Sequence, residues 1–330
     1  MPVKYWSFAG LMITYWCNAS CASCYLACSP RHPEPDMSVE KALGIWEGLI
    51  AASPHGCRIH LTGGEPFGDW ARLIEICRLA KAAGLAPLEK VETNAFWATD
   101  ARIVRDRLQA LDAAGMGKIC ISADPYHQQF VPISRCRLAA NVAEQILGAD
   151  RVQVRWRDWL AEGFDTDGLS PEAREEVFAQ YAAAGRERMN GRAAETLAGR
   201  QVRKSWQEYA DTNCREAVLR SRHVHVDPVG RLMPGTCAGI VLGESDTGRD
   251  VPDLWSELYE NHASRPVVGA LASGGPTALA SQAMESGFVP QDGYARKCHL
   301  CWDVRRWLAG QGMCKDELGP RWMYGASDSK

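Results

Sequence analysis

Cys17, Cys21 and Cys24 stand in the string Cys17-Asn18-Ala19-Ser20-Cys21-Ala22-Ser23-Cys24, a C-x3-C-x2-C spacing. Thiolates are the usual protein ligands of iron–sulfur clusters. Three close cysteines on one loop can take three irons of a [4Fe–4S] cube and leave the fourth open to a small molecule. A zinc loop, or three thiols that are merely buried, would also fit the spacing. Cys28 follows closely, but its binding would close the open iron, so it reads as a bystander. A second set returns late in the chain: Cys214, Cys237, Cys298, Cys301 and Cys314. Cys57, Cys77, Cys120 and Cys136 sit in or beside predicted strands and helices and read as packing.

The elements that must carry these residues alternate. Gly10–Tyr15 reads as a strand leading into the first cysteines. Ser38 reads as an N-cap, and Val39, Leu43, Trp46 and Ile50 recur at helical spacing after it. Strands are predicted at 58–61, 88–93, 118–122 and 151–156, with helices at 70–83, 99–114 and 134–147 between them. Gly84 stops the second helix. Repeated strand–helix units of this size imply parallel strands joined by right-handed crossovers. The predicted class is α/β, a partial (β/α)6 barrel with a small C-terminal α+β iron–sulfur extension. Residues 1–160 would form the barrel core, 161–210 a polar helical connection, and 211–330 the extension. In that extension His223-Val-His-Val-Asp227 alternates like a strand, and Pro228-Val229-Gly230 makes a turn.

Bulk composition agrees with a large core. The chain has 330 residues, 46% of them hydrophobic, and a formal net charge of −3. No basic excess points to nucleic acid. Thirteen cysteines, an odd count, suit metal ligation better than a disulfide framework. No basic-then-apolar N-terminal segment predicts a signal peptide, and no run approaches about 18 apolar residues, so no membrane span is expected. A cytoplasmic, oxygen-sensitive protein is the expectation.

The cysteine triplet after a first strand resembles the signature of the radical S-adenosylmethionine superfamily. That family usually has an aromatic residue before the third cysteine, where this chain has Ser23, with Tyr25 just after. The resemblance extends along the strand ends, where α/β folds place their sites. Thr62-Gly63-Gly64-Glu65-Pro66 resembles the GGE motif and implies binding of the methionine ammonium by backbone groups and Glu65, the glycines allowing close approach. Glu92-Thr93-Asn94 resembles the turn that ends the third strand, with Ala95 in place of glycine. Ser122 and Asp124 match the fourth strand end, and Arg155 the basic residue that pairs with the cofactor carboxylate. Each of these alone is also an ordinary cap or surface pair. Tyr126 and His127 lie at the same mouth as candidate proton-transfer residues.

The C-terminal string HVHVDPVGRLMPGTC resembles the hairpin that opens SPASM and twitch extensions, which close on a C-x2-C pair like Cys298-His299-Leu300-Cys301. By that analogy Cys214, Cys237, Cys298 and Cys301 fully ligate an auxiliary [4Fe–4S] cluster. Six residues separate Gly230 from Cys237, more than the family spacing, and the second half of the SPASM pattern is missing. A rival set, Cys298, Cys301 and Cys314, would leave an iron open to substrate, and a zinc site remains a third possibility. The implied activity is reductive cleavage of S-adenosylmethionine to a 5′-deoxyadenosyl radical that abstracts a hydrogen atom. The first expected substrate is a ribosomally synthesised peptide (crosslinked, epimerised, oxidised or excised). The early first strand leaves no room for a front-end recognition domain, so a separate recognition protein is expected, with a flavodoxin- or ferredoxin-type electron donor. A small-molecule dehydrogenase or cofactor-biosynthesis enzyme, and a passive iron–sulfur or zinc module, are the other two expectations.

Overall fold

The computed structural model describes residues 5–85, 88–155, 166–185 and 187–325. Five strand–helix units open the chain. Strand β1 is Phe8–Met12 and helix α1 is Val39–Ala51. Then come β2 (Arg58–Thr62), α2 (Trp70–Ala82), β3 (Leu88–Thr93), α3 (Ala101–Ala113) and β4 (Met116–Ser122). The short helix α4 (Pro125–Gln128) precedes α5 (Ile133–Leu147) and β5 (Val152–Arg155). Helix starts follow capping chemistry: Ser38 accepts from the Lys41 amide at 3.1 Å, and Asp100 caps α3. The predicted Trp156 and the first part of the predicted helical connection lie outside the described residues.

The remainder contains α6 (Pro171–Ala183), α7 (Arg192–Thr196), α8 (Arg215–Val218), β6 (His223–Val226), β7 (Arg231–Pro234) and β8 (Gly243–Glu244). Four helical segments close it: α9 (Val251–Asn261), α10 (Pro266–Ser273), α11 (Gly275–Glu285) and α12 (Lys297–Gly310). Among the described residues, no helix is long and apolar enough to cross a membrane.

All eight strands form one open sheet in the order β5-β4-β3-β2-β1-β6-β7-β8. The six strands from β5 to β6 run parallel, and β7 and β8 add antiparallel. The sixth parallel strand therefore lies beside β1 rather than beyond β5. The 5-4-3-2-1 order leaves β1 with a free edge, and the alternating His223–Val226 run covers it. The predicted extension hairpin thus shares the barrel's own sheet. Strand β1 also ends earlier than predicted, because the chain leaves the sheet after Met12 to build the cysteine loop.

Alternation across the pleat divides the strands by face. Ala9, Leu11, Ile59, Leu61, Val224 and Val226 are buried in the apolar core. Their neighbours His60, Thr62, Lys90, Glu92, Ser122 and His225 line a cavity on the other face. The sequence thus puts polar side chains from β2, β3, β4 and β6 on the inner face, with Phe8 and Gly10 of β1 between them.

Candidate active site

The cavity measures about 460 Å³ and runs along the inner face from Cys17, Cys21 and Cys24 to His60, His223 and His225. The cysteine loop at its mouth is held from three sides. The Gly64 amide donates to the Thr14 carbonyl at 2.7 Å, and the Glu65 amide to Trp16 at 2.7 Å. A Cβ on Gly64 would fall 1.9 Å from the Trp16 carbonyl oxygen. Gly63 has φ +127°, and a Cβ there would meet the Thr14 oxygen at 2.3 Å. The two glycines line the cavity, and their lack of side chains also permits close approach to the chain's own cysteine loop.

The second support is Asn94, whose Nδ2 donates to Asn18 Oδ1 at 2.9 Å and to Cys17 Sγ at 3.6 Å. The third is Arg192 on α7. Its guanidinium donates to the carbonyls of Cys21, Ala27 and Cys28 at 2.8–2.9 Å. Its amide donates to the Cys24 carbonyl. The sequence offered no sign of this role, since Arg192 sits in a polar arginine-rich stretch without a motif.

Burial pushes the Cys17 thiol up to about 12 and Cys21 well above its usual value, while the Arg192 charge pulls the other way. The Cys28 thiol donates to Cys24, which favours the Cys24 thiolate and keeps Cys28 protonated. Cys28 also lines the cavity. A single tetrahedral zinc ion with Zn–S near 2.3 Å holds thiolates about 3.8 Å apart. Among the described residues, no three cysteine thiols lie within 4.8 Å of one another.

Glu65 is fully buried and does not line the cavity. Its carboxylate accepts from Thr93 Oγ1 at 2.8 Å, the Asn94 amide at 2.7 Å and the Phe67 amide at 3.2 Å. Through these bonds Glu65 welds the β2 turn to the β3 turn and so positions Asn94 and the glycines. Arg155 donates to Glu92 at 2.7 Å, and Glu92 also meets Lys90 at 2.8 Å and Thr62 at 2.9 Å. Burial alone would raise the Glu92 carboxyl, but Arg155 and the other cations outweigh it and hold it far below the usual range. Sequence reasoning did not anticipate that Arg155 has an internal carboxylate partner. The side chain of Arg155 remains 43% exposed beside Ser122, its register partner, at the cavity wall.

Asp124 caps α4 through Oδ1, and its Oδ2 meets His127 Nδ1 at 2.5 Å. Burial alone would lower His127, but Asp124 outweighs it and the net shift is upward from 6.5. Burial likewise opposes ionisation of Asp124, yet His127 pulls it below 3.8. The raised histidine stabilises the fold below its unfolded value and loses that contribution as pH rises through the folded one. The depressed aspartate does the reverse, losing its contribution as pH falls through its folded value. The pair therefore contributes most between about pH 4 and 6.5. NMR titration of the His127 ring should give a midpoint above the ordinary histidine value in the native chain and below it in Asp124→Asn. A native midpoint at or below the ordinary value would contradict the pairing. Tyr126 corrects an expectation. It does not line the cavity but is buried against Phe178 and Tyr181, with ring centroids 5.0 and 5.4 Å away. The α4 turn that presents His127 to the cavity sends the adjacent side chain into the core.

The late cysteines gather at the end of the β6–β7 hairpin. The Cys237 amide donates to Pro234, the Cys214 amide to Leu271, and Cys298 and Cys301 occupy the first turns of α12. Burial raises Cys214 to about 12 and Cys298 to about 11, and nearby thiols add to both shifts. Cys237 and Cys301 contribute to both shifts, so the charges of the four thiols are coupled. Cys314 stands apart: its shift comes from burial and Glu317. Beside the quartet lies Arg305, 2% exposed, which donates to Asn190 Oδ1 at 2.7 Å, the Ala238 carbonyl at 2.8 Å and Tyr324 Oη at 2.6 Å.

No protein-family profile matches the chain, and no curated protein does. Several solved structures are similar to it. BtrN in complex with AdoMet and 2-DOIA is 17% identical, covers 83% of this chain and 90% of its own, and gives a TM-score of 0.49. Native anSMEcpe with bound AdoMet and Cp18Cys peptide is 11% identical over 91% of this chain and 96% of its own, at a TM-score of 0.46. Streptococcus suis SuiB bound to S-adenosylmethionine is 13% identical over 82% of this chain and 68% of its own, at a TM-score of 0.37.

Proposed function

We propose that the chain is a radical S-adenosylmethionine enzyme that modifies a ribosomally synthesised peptide. Cys17, Cys21 and Cys24 would hold a [4Fe–4S] cluster with one open iron. The observation that carries the reading is that these three thiols open onto one cavity with the ends of β2, β3, β4 and β5. When bound, the cluster and S-adenosylmethionine supply a 5′-deoxyadenosyl radical able to take a hydrogen atom from an unactivated carbon.

The chain's own groups do the rest. Backbone groups of Gly63 and Gly64 line the wall nearest the cysteines and suit the ammonium. Ser122 and the exposed edge of Arg155 suit the ribose and carboxylate. His127, whose protonated form Asp124 favours, lines the mouth as a candidate proton donor. The cavity volume lies in the range of about 300–1,000 Å³ that encloses drug-sized ligands. It accepts a nucleoside with one inserted residue, not a folded peptide, which fits a separate recognition protein that delivers a single side chain. The polar floor of Lys90, His60 and His223 favours a second reading, a small polar molecule as substrate.

The quartet Cys214, Cys237, Cys298 and Cys301 would fully ligate a second [4Fe–4S] cluster. Four protein thiolates would leave no open iron, so the chemistry such a cluster would supply is electron relay, from a flavodoxin- or ferredoxin-type donor, rather than substrate binding. Anaerobic reconstitution should therefore give about eight irons per chain, and the Cys17, Cys21, Cys24 triple alanine variant about four. Equal iron in the two proteins would overturn the assignment of the first cluster.

A further inference from the structure

The cavity floor holds a group that the cluster chemistry does not use. In the parallel register Gly10 of β1 stands between His60 of β2 and His225 of β6. Gly10 has no side chain, and the two imidazoles close over the space. A Cβ there would lie 2.3 Å from His225 Cδ2 and 2.6 Å from His60 Nε2. His223, two residues earlier on the same face of β6, pairs with Phe8. Phe8 lies against both neighbouring imidazoles, 4.6 Å from His60 and 4.7 Å from His223, and braces them from below.

One ring nitrogen from each of His60, His223 and His225 lies within 4.8 Å of the other two. Among the described residues, no other His, Cys, Asp or Glu set is drawn so tightly. Two ring nitrogens are also orphaned. His60 Nδ1 and His223 Nε2 are buried without a hydrogen-bond partner, and His60 is only 2% exposed. A buried polar atom left unpaired costs about 1–3 kcal/mol, so such atoms in a folded protein usually mark an absent partner. Burial holds His60 at about 3 and His223 at about 4, and His225 well below the ordinary value. Burial therefore favours the neutral form of each ring, the form that binds a metal ion. Of the cations near this floor, Lys90 and Arg155 are paired with Glu92, and Arg188 also lines the cavity and acts on His223.

We propose that His60, His223 and His225 form a mononuclear site for a divalent first-row transition ion, with zinc(II) the first fit, whose open coordination positions face the cavity. Three imidazoles on adjacent strands match the donor preference of zinc, iron(II) and cobalt(II), and three protein ligands leave a position free. The site is separate from the cysteines and goes beyond the proposed radical chemistry.

The test uses the anaerobically reconstituted protein, with both cluster sites filled, incubated with zinc(II) or cobalt(II) and desalted. About one zinc should remain per chain above the cluster iron. Bound high-spin cobalt(II) should show coupling to imidazole nitrogen by electron spin echo spectroscopy. His60→Gln and His225→Gln should weaken zinc affinity by about 100-fold each while the iron content stays unchanged. Zinc that is not retained, or is retained equally by both variants, would overturn the site. If the variants also lose iron through misfolding, the native cobalt spectrum decides, and absence of imidazole coupling overturns the proposal. Iron content reports on the clusters and zinc on the histidines, so the two readings fail separately.

Discussion

Gly64→Ala is expected to strip the cysteine loop of its iron and to destabilise the fold by about 3–5 kcal/mol. The added Cβ would sit 1.9 Å from the Trp16 oxygen and 2.9 Å from the Tyr15 carbonyl carbon, all backbone, so nothing flexible can yield. The β2 turn must move away from the loop. That breaks the bonds from Gly64 to Thr14 and from Glu65 to Trp16, both 2.7 Å. The displacement passes through Glu65 to Thr93 and Asn94, and so to Cys17. Gly310→Ala, where an added Cβ meets nothing, is the control and should be neutral or slightly stabilising. Chemical denaturation and iron analysis of both variants check the pair. Normal iron content in Gly64→Ala would show that the turn does not hold the loop.

Arg305→Met should cost about 3–5 kcal/mol and lower iron from about eight to about four per chain. The cation is buried on α12, and its guanidinium serves three acceptors on separate segments, at Asn190, Ala238 and Tyr324. It also lies over the Trp302 and Tyr324 rings at 5.2 and 5.6 Å. Burial raises the Cys301 thiol and Arg305 opposes that, so removing the cation disfavours thiolate ligation as well as loosening the helix. Arg305→Lys keeps the charge but cannot span three acceptors, and should recover only part of the iron. If Arg305→Met retained all its iron, the quartet would not depend on this residue.

The framework was legible in the sequence because its signals are local. Short apolar runs, helical spacing, the Ser38 cap and glycine stops placed five parallel strands and their helices. The cysteine spacing placed the loop. What was not legible depends on long-range register. Whether His60, His223 and Lys90 face inward follows from which residue of β1 pairs with which residue of β2 and β6. The position of β6 beside β1 follows from an edge that only the assembled sheet exposes. The internal bonds of Glu65 were not legible, since two of its three donors, Thr93 and Asn94, come from a turn about 30 residues away. Arg192 and Arg305 act through carbonyls of distant segments, and no pattern in their neighbours announces it. Tyr126 and His127 were indistinguishable as neighbours at a loop, yet one turn of α4 sends them to opposite sides. The choice between Cys214 and Cys314 was open on spacing alone, and it is the coupling of Cys214 to Cys237, Cys298 and Cys301 that favours the first set.

The most direct measurement is anaerobic formation of 5′-deoxyadenosine from S-adenosylmethionine by the dithionite-reduced, reconstituted protein. The native chain should form it, and the Cys17, Cys21, Cys24 triple alanine variant should form none. Deoxyadenosine from the triple variant, or its absence from a native protein carrying its full iron content, would contradict the account.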